Sequence, residues 1–183
     1  MKRRSDVVLV TAIVAAGAAL LFFRSREISP GESRIEIHKS ARRLVFIDGA
    51  GAQRTFPIGL GFAPGLPKER EGDGRTPEGR YFVCVKNPRS KYYLSLGISY
   101  PGPEDADRGV AAGLISGAER EEIRRAHAER RTPPWKTALG GEVFIHGQGA
   151  ASDWTQGCAA LDNPDMAKLF ERTAIGTPVI IFP

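Results

Sequence analysis

Residues 143–163 read VFIHGQGAASDWTQGCAALDN, a short apolar run that leads into a glycine-rich turn. His146 ends the run, which is typical of a strand, and Cys158 follows in the turn twelve residues later. A thiol reacts as its thiolate, so it needs a base within hydrogen-bond reach or a local field that lowers its pKa. The stretch therefore predicts a strand, a sharp turn and a thiol nucleophile, Cys158, with His146 as its base.

The backbone of the same turn is predicted to take part. Glycine lets the chain turn sharply and approach other groups closely. The successive N–H groups of Gly157 and Cys158 are therefore placed where an oxyanion could form.

Short strands are predicted on both sides of this stretch. Residues 34–39 and 43–48 have apolar patterns separated by small and polar residues, which predicts a β-hairpin. Further runs rich in β-branched or aromatic residues and bounded by Gly or Pro predict strands at 54–60, 80–86, 92–100, 142–146 and 178–182. The core is therefore predicted to be predominantly β.

Two helices are predicted to interrupt the strands. Ser116 and Glu119 have capping-box spacing, and residues 119–131 are strongly helix-forming. This charged helix is either a solvated insertion or one wall of a substrate cleft. A second helix is predicted to begin at Asn163, because a proline follows it. Its predicted core-facing residues are Met166, Leu169 and Phe170.

Residues 1–26 are predicted to form an export segment. Three basic residues precede an apolar run over 7–23, which just reaches the length of a membrane span. We expect an N-terminal transmembrane helix that anchors the chain in the inner membrane with its amino terminus in the cytoplasm. Removal as a signal peptide, with secretion to the periplasm, is the alternative.

The rest of the chain then divides simply. Residues 27–33 are predicted to be a tether, and residues 34–183 one catalytic domain on the periplasmic side.

The net charge of +5 is concentrated in residues 1–26, which hold five of the 26 basic and one of the 21 acidic residues. A nucleic-acid binder concentrates positive charge on its folded surface, so a nearly neutral domain argues against DNA or RNA as a partner.

The remaining cysteine and histidines are predicted to be structural. Cys84 lies in a strand-like run, where a small half-buried hydrophobe is expected, and a bridge to Cys158 would silence the nucleophile. His38 and His127 are expected to be surface groups. Neither has a second Cys or His at ligand spacing, so we expect no metal and no cofactor.

Three blocks of sequence together carry a family resemblance. They are EGDGRTPEGRY at 71–81, GGEVFIHG at 140–147 and DWTQGC at 153–158. In their order and combination the chain resembles the L,D-transpeptidase catalytic-domain (YkuD-like) family over about residues 34–183. It is especially similar to a murein transpeptidase-like subgroup with a Trp-Thr-x-Gly-Cys-x-Ala turn. The resemblance implies a mostly β, mixed sandwich or barrel-like fold with two or more short helices and a cleft for the Cys/His pair.

The resemblance also implies a reaction on peptidoglycan stem peptides. Cys158 would attack the carbonyl of meso-diaminopimelate, release D-alanine and form a thioester. His146 would take the thiol proton and return it to the departing amine, with its other ring nitrogen bonded to a backbone carbonyl such as that of Gly147. An amine from a second stem peptide or from a lipoprotein would complete the transfer. Alternatives are a cysteine amidase or carboxypeptidase that uses water, for example to release a wall-linked lipoprotein, and a non-catalytic wall-binding module.

Two positions depart from the broad family pattern. Many members have a histidine just before the Gly-Cys pair and an Arg or Asn two residues after the cysteine, where this chain has Gln156 and Ala160. A neutral amide cannot shuttle a proton, so activation would rest on His146 alone. Gln156 is expected to orient substrate by hydrogen bonds.

The substrate carboxylate then needs another cation, and Arg75 is the candidate. Its alternative role is to stabilise a Gly/Asp/Pro-rich turn. Trp154 is predicted either to pack on the stem peptide or to plug the turn. Thr155 is a further candidate for substrate binding, or for orienting the turn through its hydroxyl.

Overall fold

The computed structural model describes residues 31–183. The predicted anchor at 1–26 and the first part of the tether lie outside the described residues. Within residues 31–183, none of the helices has the length and apolar content that a membrane crossing needs.

The described chain forms a mixed sheet of eight strands with three short helices. The strands are β1 (Arg34–His38), β2 (Arg43–Ile47), β3 (Gln53–Pro57), β4 (Gly79–Ser90), β5 (Tyr93–Ile98), β6 (Phe144–His146), β7 (Ala159–Ala160) and β8 (Pro178–Phe182). The helices are α1 (Pro103–Ala111), α2 (Gly117–Ala128) and α3 (Asn163–Arg172). The order of strands in the sheet is β3-β2-β1-β8-β4-β5-β6-β7. The prediction of a mostly β fold is confirmed.

The pairing of the strands confirms the predicted hairpin and adds a curved, barrel-like closure. β1 and β2 are antiparallel, with Arg34 opposite Ile47. β8 runs parallel to β1 and antiparallel to β4, and β6 and β7 are parallel. Beyond β3, single bridges join Gly59 to Ala160 and Gly61 to Thr155. These bridges bring the two ends of the sheet together at the turn that carries Cys158.

The core lies between the curved sheet and α3. Met166 and Leu169 of α3 are fully buried, and Phe170 packs against the same cluster, as predicted. Burying side chains of this size stabilises the fold by roughly 1.5–3 kcal/mol each. The strands contribute the branched aliphatic side chains of Ile35, Ile37, Leu44, Val83, Leu96, Ile98, Ile145, Val179 and Ile181. The short strand β7 and the turn before it are therefore attached to a rigid support.

The helices α1 and α2 form an insertion between β5 and β6. α2 begins as predicted, because Ser116 Oγ accepts from Glu119 N–H at 3.2 Å and the Glu119 carboxylate accepts from Ser116 N–H at 2.8 Å. α1 was not predicted; it begins with Pro103 and an acidic first turn. The two helices bury a small second cluster made of Ala106, Ile115, Ile123 and Leu139.

The prediction that His127 is a surface group is wrong. Its ring packs edge-on against Phe82 at 5.4 Å, and its Nε2 donates to the carbonyl oxygen of Ser99 at 2.6 Å. Burial lowers the pKa of His127. His127 therefore attaches the inward face of α2 to the sheet, while the charged residues of the helix face away. His38 is half-buried and stacks on Phe182.

Candidate active site

The predicted catalytic stretch lines a cavity of about 500 Å³. Six of the residues singled out from the sequence contribute to its wall: His146, Trp154, Thr155, Gln156, Gly157 and Cys158. The fold therefore brings the proposed nucleophile and base to one cavity. No residue of α2 belongs to the lining, which favours the solvated-insertion interpretation of that helix.

Two parallel strands bring Cys158 and His146 to the wall of the same cavity. His146 ends β6 and lies opposite Ala160 of β7, and Cys158 immediately precedes β7. The backbone N–H of Phe144 donates to Cys158 Sγ at 3.3 Å, and the sulfur lies 3.8 Å from the carbonyl oxygen of Glu142. Cys158 stands two residues before Ala160, and side chains two residues apart along a strand share a face, so the sulfur and the imidazole line the same cavity.

The geometry of His146 determines its tautomer. Its Nδ1 lies 2.7 Å from the carbonyl oxygen of Gly147, which confirms the predicted backbone bond. A carbonyl only accepts, so Nδ1 carries the proton and Nε2 keeps its lone pair. The ring stacks on Tyr92 at 4.6 Å and 22°, and Tyr92 also accepts from Gly147 N–H through its carbonyl oxygen at 3.1 Å. Tyr92, in the turn between β4 and β5, thus holds both the imidazole of His146 and the Gly147 peptide that orients it.

Only glycine fits at position 147. A Cβ there would lie 2.5 Å from Asn163 Oδ1 and 3.0 Å from the carbonyl oxygen of Tyr92. Gly147 is not a lining residue of the cavity. It acts on the site through its backbone alone.

The pKa shifts of Cys158 and His146 both favour the neutral form of each group. Burial raises the pKa of Cys158, and the Phe144 N–H together with the charges of Lys68 and Lys91 only partly opposes it. Burial lowers the pKa of His146, against the opposing effect of its bond to Gly147. Among the hydrogen bonds of residues 31–183, none joins His146 to Cys158. In this arrangement His146 acts as a general base that takes the thiol proton during attack, and no thiolate–imidazolium pair is formed beforehand.

Thr155 organises the turn that carries the nucleophile. Its buried hydroxyl accepts from Gly157 N–H at 3.1 Å and donates to the carbonyl oxygen of Cys158 at 2.8 Å. The N–H of Gly157 is therefore occupied, which corrects the predicted pair of oxyanion donors. The N–H of Cys158 donates no hydrogen bond within the described chain. Of the two interpretations of Thr155, the bonds show that it orients the turn.

Gly157 has a steric role in the same turn. Its φ is +131°, and a Cβ would lie 2.7 Å from the carbonyl oxygen of Arg75. A side chain at this position would be strained and would collide with the neighbouring loop. Gly157 thus allows the turn to approach that loop.

An ion pair attaches the turn to the other end of the sheet. The guanidinium of Arg42 holds both carboxylate oxygens of Asp153, at distances of 2.7–3.1 Å. Asp153 also accepts from the N–H of Leu60 at 2.9 Å. The nucleophile turn is therefore fixed to the loop between β1 and β2 and to the segment after β3.

Trp154 and Gln156 lie at the solvent side of the cavity. Trp154 is 39% exposed, and its ring meets His146 edge-on at 5.6 Å while its Nε1 donates to the carbonyl oxygen of Gly149 at 3.1 Å. It is thus both tied into the turn and available to a ligand. The side chain of Gln156 is exposed at the same wall.

The structure places Arg75 outside the cavity lining. Its guanidinium pairs with Glu69 at 3.0 Å, and it is absent from the residues that form the wall. The cations that do line the cavity are Lys68 and Lys91. Sequence reasoning missed Lys68 because it stands in a run of charged residues that is typical of a solvated loop, yet it is only 3% exposed.

Two carboxylates face the same space. Glu71 and Glu142 both line the cavity, and neither makes an ion pair within residues 31–183. The wall therefore carries both signs of charge around the sulfur. Within the same residues, no cluster of His, Cys, Asp or Glu is arranged to hold a metal ion, and both cysteines are free thiols.

Comparisons with known proteins agree with this architecture. The YkuD family model, which describes an L,D-transpeptidase catalytic domain, matches residues 32–181. A search of curated proteins gave no significant match. The chain is similar in structure to the helical cell shape determining protein Pgp2 from Campylobacter jejuni, with 23% identity and a TM-score of 0.55 over 85% of this chain and 48% of that one.

A second solved structure has the same fold. It is Bd1075 from Bdellovibrio bacteriovorus, with 19% identity and a TM-score of 0.53 over 83% of this chain and 48% of that one. The chain therefore spans about half the length of either protein. At this level of identity the likeness shows the fold alone.

Proposed function

The chain belongs to the L,D-transpeptidase catalytic-domain family, and on that premise we propose that it is a cysteine-dependent peptidoglycan L,D-transpeptidase. The observation that carries the proposal is the shared cavity of Cys158 and His146, in which the Nδ1 bond to Gly147 leaves the Nε2 lone pair for the thiol proton. Members of this family are cysteine acyltransferases that act on peptidoglycan peptides.

Acylation begins from the neutral pair. As Cys158 Sγ attacks the carbonyl carbon of meso-diaminopimelate, His146 Nε2 takes the thiol proton, so that charge separation coincides with bond formation. The Phe144 N–H, 3.3 Å from the sulfur, stabilises negative charge there. The N–H of Cys158, which has no acceptor among residues 31–183, is the donor we assign to the oxyanion of the tetrahedral intermediate. His146 then gives its proton to the departing D-alanine amine, and a thioester remains.

The second half of the reaction transfers the acyl group to an amine. His146 takes a proton from the acceptor amine as it attacks the thioester, and returns it to the leaving sulfur. Glu71 and Glu142 have no ion-pair partner among residues 31–183 and supply negative charge that attracts a protonated amine, although Lys68 and Lys91 contribute positive charge to the same wall. The amine gives up one proton to solvent before it attacks. The two carboxylates are the feature that supports transfer to a stem peptide or a lipoprotein over hydrolysis.

The setting of the reaction is part of the proposal. We place the catalytic domain in the periplasm, anchored in the inner membrane through residues 1–26 or released after their removal. Peptidoglycan stem peptides are the proposed partners there, and a wall-linked lipoprotein is a further acceptor.

The test compares products from two substrates. The purified chain is incubated with disaccharide tetrapeptide and with lipoprotein-linked muropeptide, and products are identified by mass spectrometry. Cys158→Ala removes the nucleophile. Cys84→Ala is the matched control, since the Cys84 sulfur lies against the carbonyl oxygen of Gly97 in the sheet and outside the cavity lining.

Each outcome selects one function. A cross-linked dimer that needs Cys158 and survives Cys84→Ala supports transpeptidation. Released D-alanine or lipoprotein without a dimer would identify a carboxypeptidase or amidase. Loss of all Cys158-dependent products with both substrates would contradict catalysis and leave a wall-binding module.

A further inference from the structure

Lys68 is a buried cation whose hydrogen bonds are incomplete. Its side chain is 3% exposed, and its ammonium donates to the carbonyl oxygen of Arg70 at 2.9 Å and to Asp73 Oδ1 at 3.0 Å. An ammonium has three hydrogens. Within the described residues, the third has only the ring of Tyr100, whose centroid is 6.0 Å away at the outer limit of a cation–π contact.

The charge of Asp73 is already distributed over backbone donors. Its carboxylate accepts from the N–H groups of Glu69 at 2.8 Å, Arg70 at 3.0 Å and Arg75 at 3.0 Å. Burial raises the pKa of Asp73, but these bonds and Lys68 outweigh it and leave the pKa below its ordinary value. Three backbone N–H groups already hydrogen-bond the Asp73 carboxylate, so Asp73 neutralises the charge of Lys68 only in part. The remaining positive charge of Lys68 acts on the cavity.

Lys68 faces the same cavity as Cys158. The other cation in the wall, Lys91, is exposed and lies 5.0 Å above the ring of Tyr92. Fixing a long exposed lysine on a ligand costs side-chain entropy, whereas Lys68 is already held by two bonds. A preorganised ammonium with one open donor in a cavity wall has the chemistry to bind a carboxylate.

We propose that Lys68 binds a carboxylate of the acyl donor and so selects donors that carry a free acid. The inference rests on the proposed function, because it assigns a subsite to that same cavity. The donor tetrapeptide offers two carboxylates near the scissile bond: the side-chain carboxylate of meso-diaminopimelate and the terminal carboxylate of D-alanine. Both present the same chemistry to an ammonium.

Three donors distinguish the two sources. They are the free tetrapeptide, the form amidated at the diaminopimelate side chain and the form amidated at the terminal D-alanine. The rate of Cys158 acylation by each is followed by protein mass in the full chain. Loss of a charge-assisted hydrogen bond predicts that one amide reacts about tenfold or more slowly than the free acid with the unaltered protein. Lys68→Met is expected to abolish that preference.

Lys39 provides a matched control. It is an equally buried lysine that holds the same loop, donating to the carbonyl oxygens of Leu66 and Thr76 at 3.0 Å each, but it does not line the cavity. Lys39→Met is expected to keep the preference of the unaltered protein for the acid, even where loosening of the loop slows all three donors alike.

The outcomes separate this inference from the proposed function. Equal acylation by all three donors would overturn the role of Lys68 without any variant, and would leave transpeptidation standing. A preference for the acid that persists in Lys68→Met would also overturn it. Failure of every donor to acylate Cys158 would overturn the proposed function together with this inference.

Discussion

Replacement of Thr155 by valine tests how the nucleophile turn is held. Valine has nearly the same shape but lacks the hydroxyl, so packing is kept while two hydrogen bonds are lost. The Gly157 N–H, now 3.1 Å from Oγ1, loses its acceptor in a buried place, and the Cys158 carbonyl loses a donor at 2.8 Å.

The magnitude follows from the burial of the groups left behind. A buried polar group without a partner costs about 1–3 kcal/mol, and the half-buried carbonyl lies at the lower end of that range. Together they predict a loss of about 2–4 kcal/mol in the free energy of unfolding, or about 5–15 °C in the melting temperature for a domain of this size. A turn that relaxes also moves the sulfur, and small displacements of a reacting group cost tenfold or more in rate.

Calorimetry and Cys158 acylation by tetrapeptide measure the two effects. Thr155→Ser is the control, since it keeps the oxygen and should retain most of both properties. A Thr155→Val variant with the melting temperature and acylation rate of the unaltered protein would refute the assignment of Thr155 as the organiser of the turn.

Three further predictions concern titration. In a Cys84→Ser background, alkylation of Cys158 by iodoacetamide should accelerate through an inflection above the ordinary thiol range, because burial raises its pKa; an inflection below about 7 would indicate a preformed thiolate. Burial lowers the pKa of His146 below its ordinary 6.5, so the acid limb of kcat/KM should lie below pH 6.5, and a limb above that value would contradict a neutral buried base. Burial raises the pKa of Asp105 from 3.8 to about 6, although the Gly102 N–H and the charge of Arg108 oppose this shift. The folded protein therefore holds the Asp105 proton more tightly than the unfolded chain does. The stability that this proton contributes is full below pH 3.8 and is lost as the pH rises through 6. Relative to Asp105→Asn, the unaltered protein should therefore lose roughly 3 kcal/mol of unfolding free energy across that window, and parallel stability curves would show that this carboxyl does not titrate as assigned.

Local patterns in the sequence were sufficient to predict most of the elements. The hairpin of β1 and β2, the capping box of Ser116 and the buried face of α3 each depend on residues close together in the chain. The Cys158/His146 pair was predicted for the same reason, since both belong to one short stretch. The bond of His146 Nδ1 to the Gly147 carbonyl was expected from the family resemblance, and the structure confirms it.

The features that were missed depend on distant parts of the chain. The two residues of β7 are a strand only through their pairing with β6 and with the segment after β3. Lys68 has the sequence surroundings of a surface residue, and its burial is set by Asp73 and the fold of the loop. His127 lies on a charged helix, but the one face that meets Phe82 could not be identified before the position of α2 was known.

The place of β8 in the sheet has a consequence for how the protein matures. This strand follows all the others in the sequence, yet it lies between β1 and β4. It therefore joins two halves, one contributing Arg42 and the other the cavity wall with Cys158. Before β8 has paired with β1 and β4, the two halves are not joined and the cavity around Cys158 is incomplete. Pairing between segments that are far apart in the sequence is slow. The reactivity of Cys158 should consequently appear only after β8 has paired with β1 and β4.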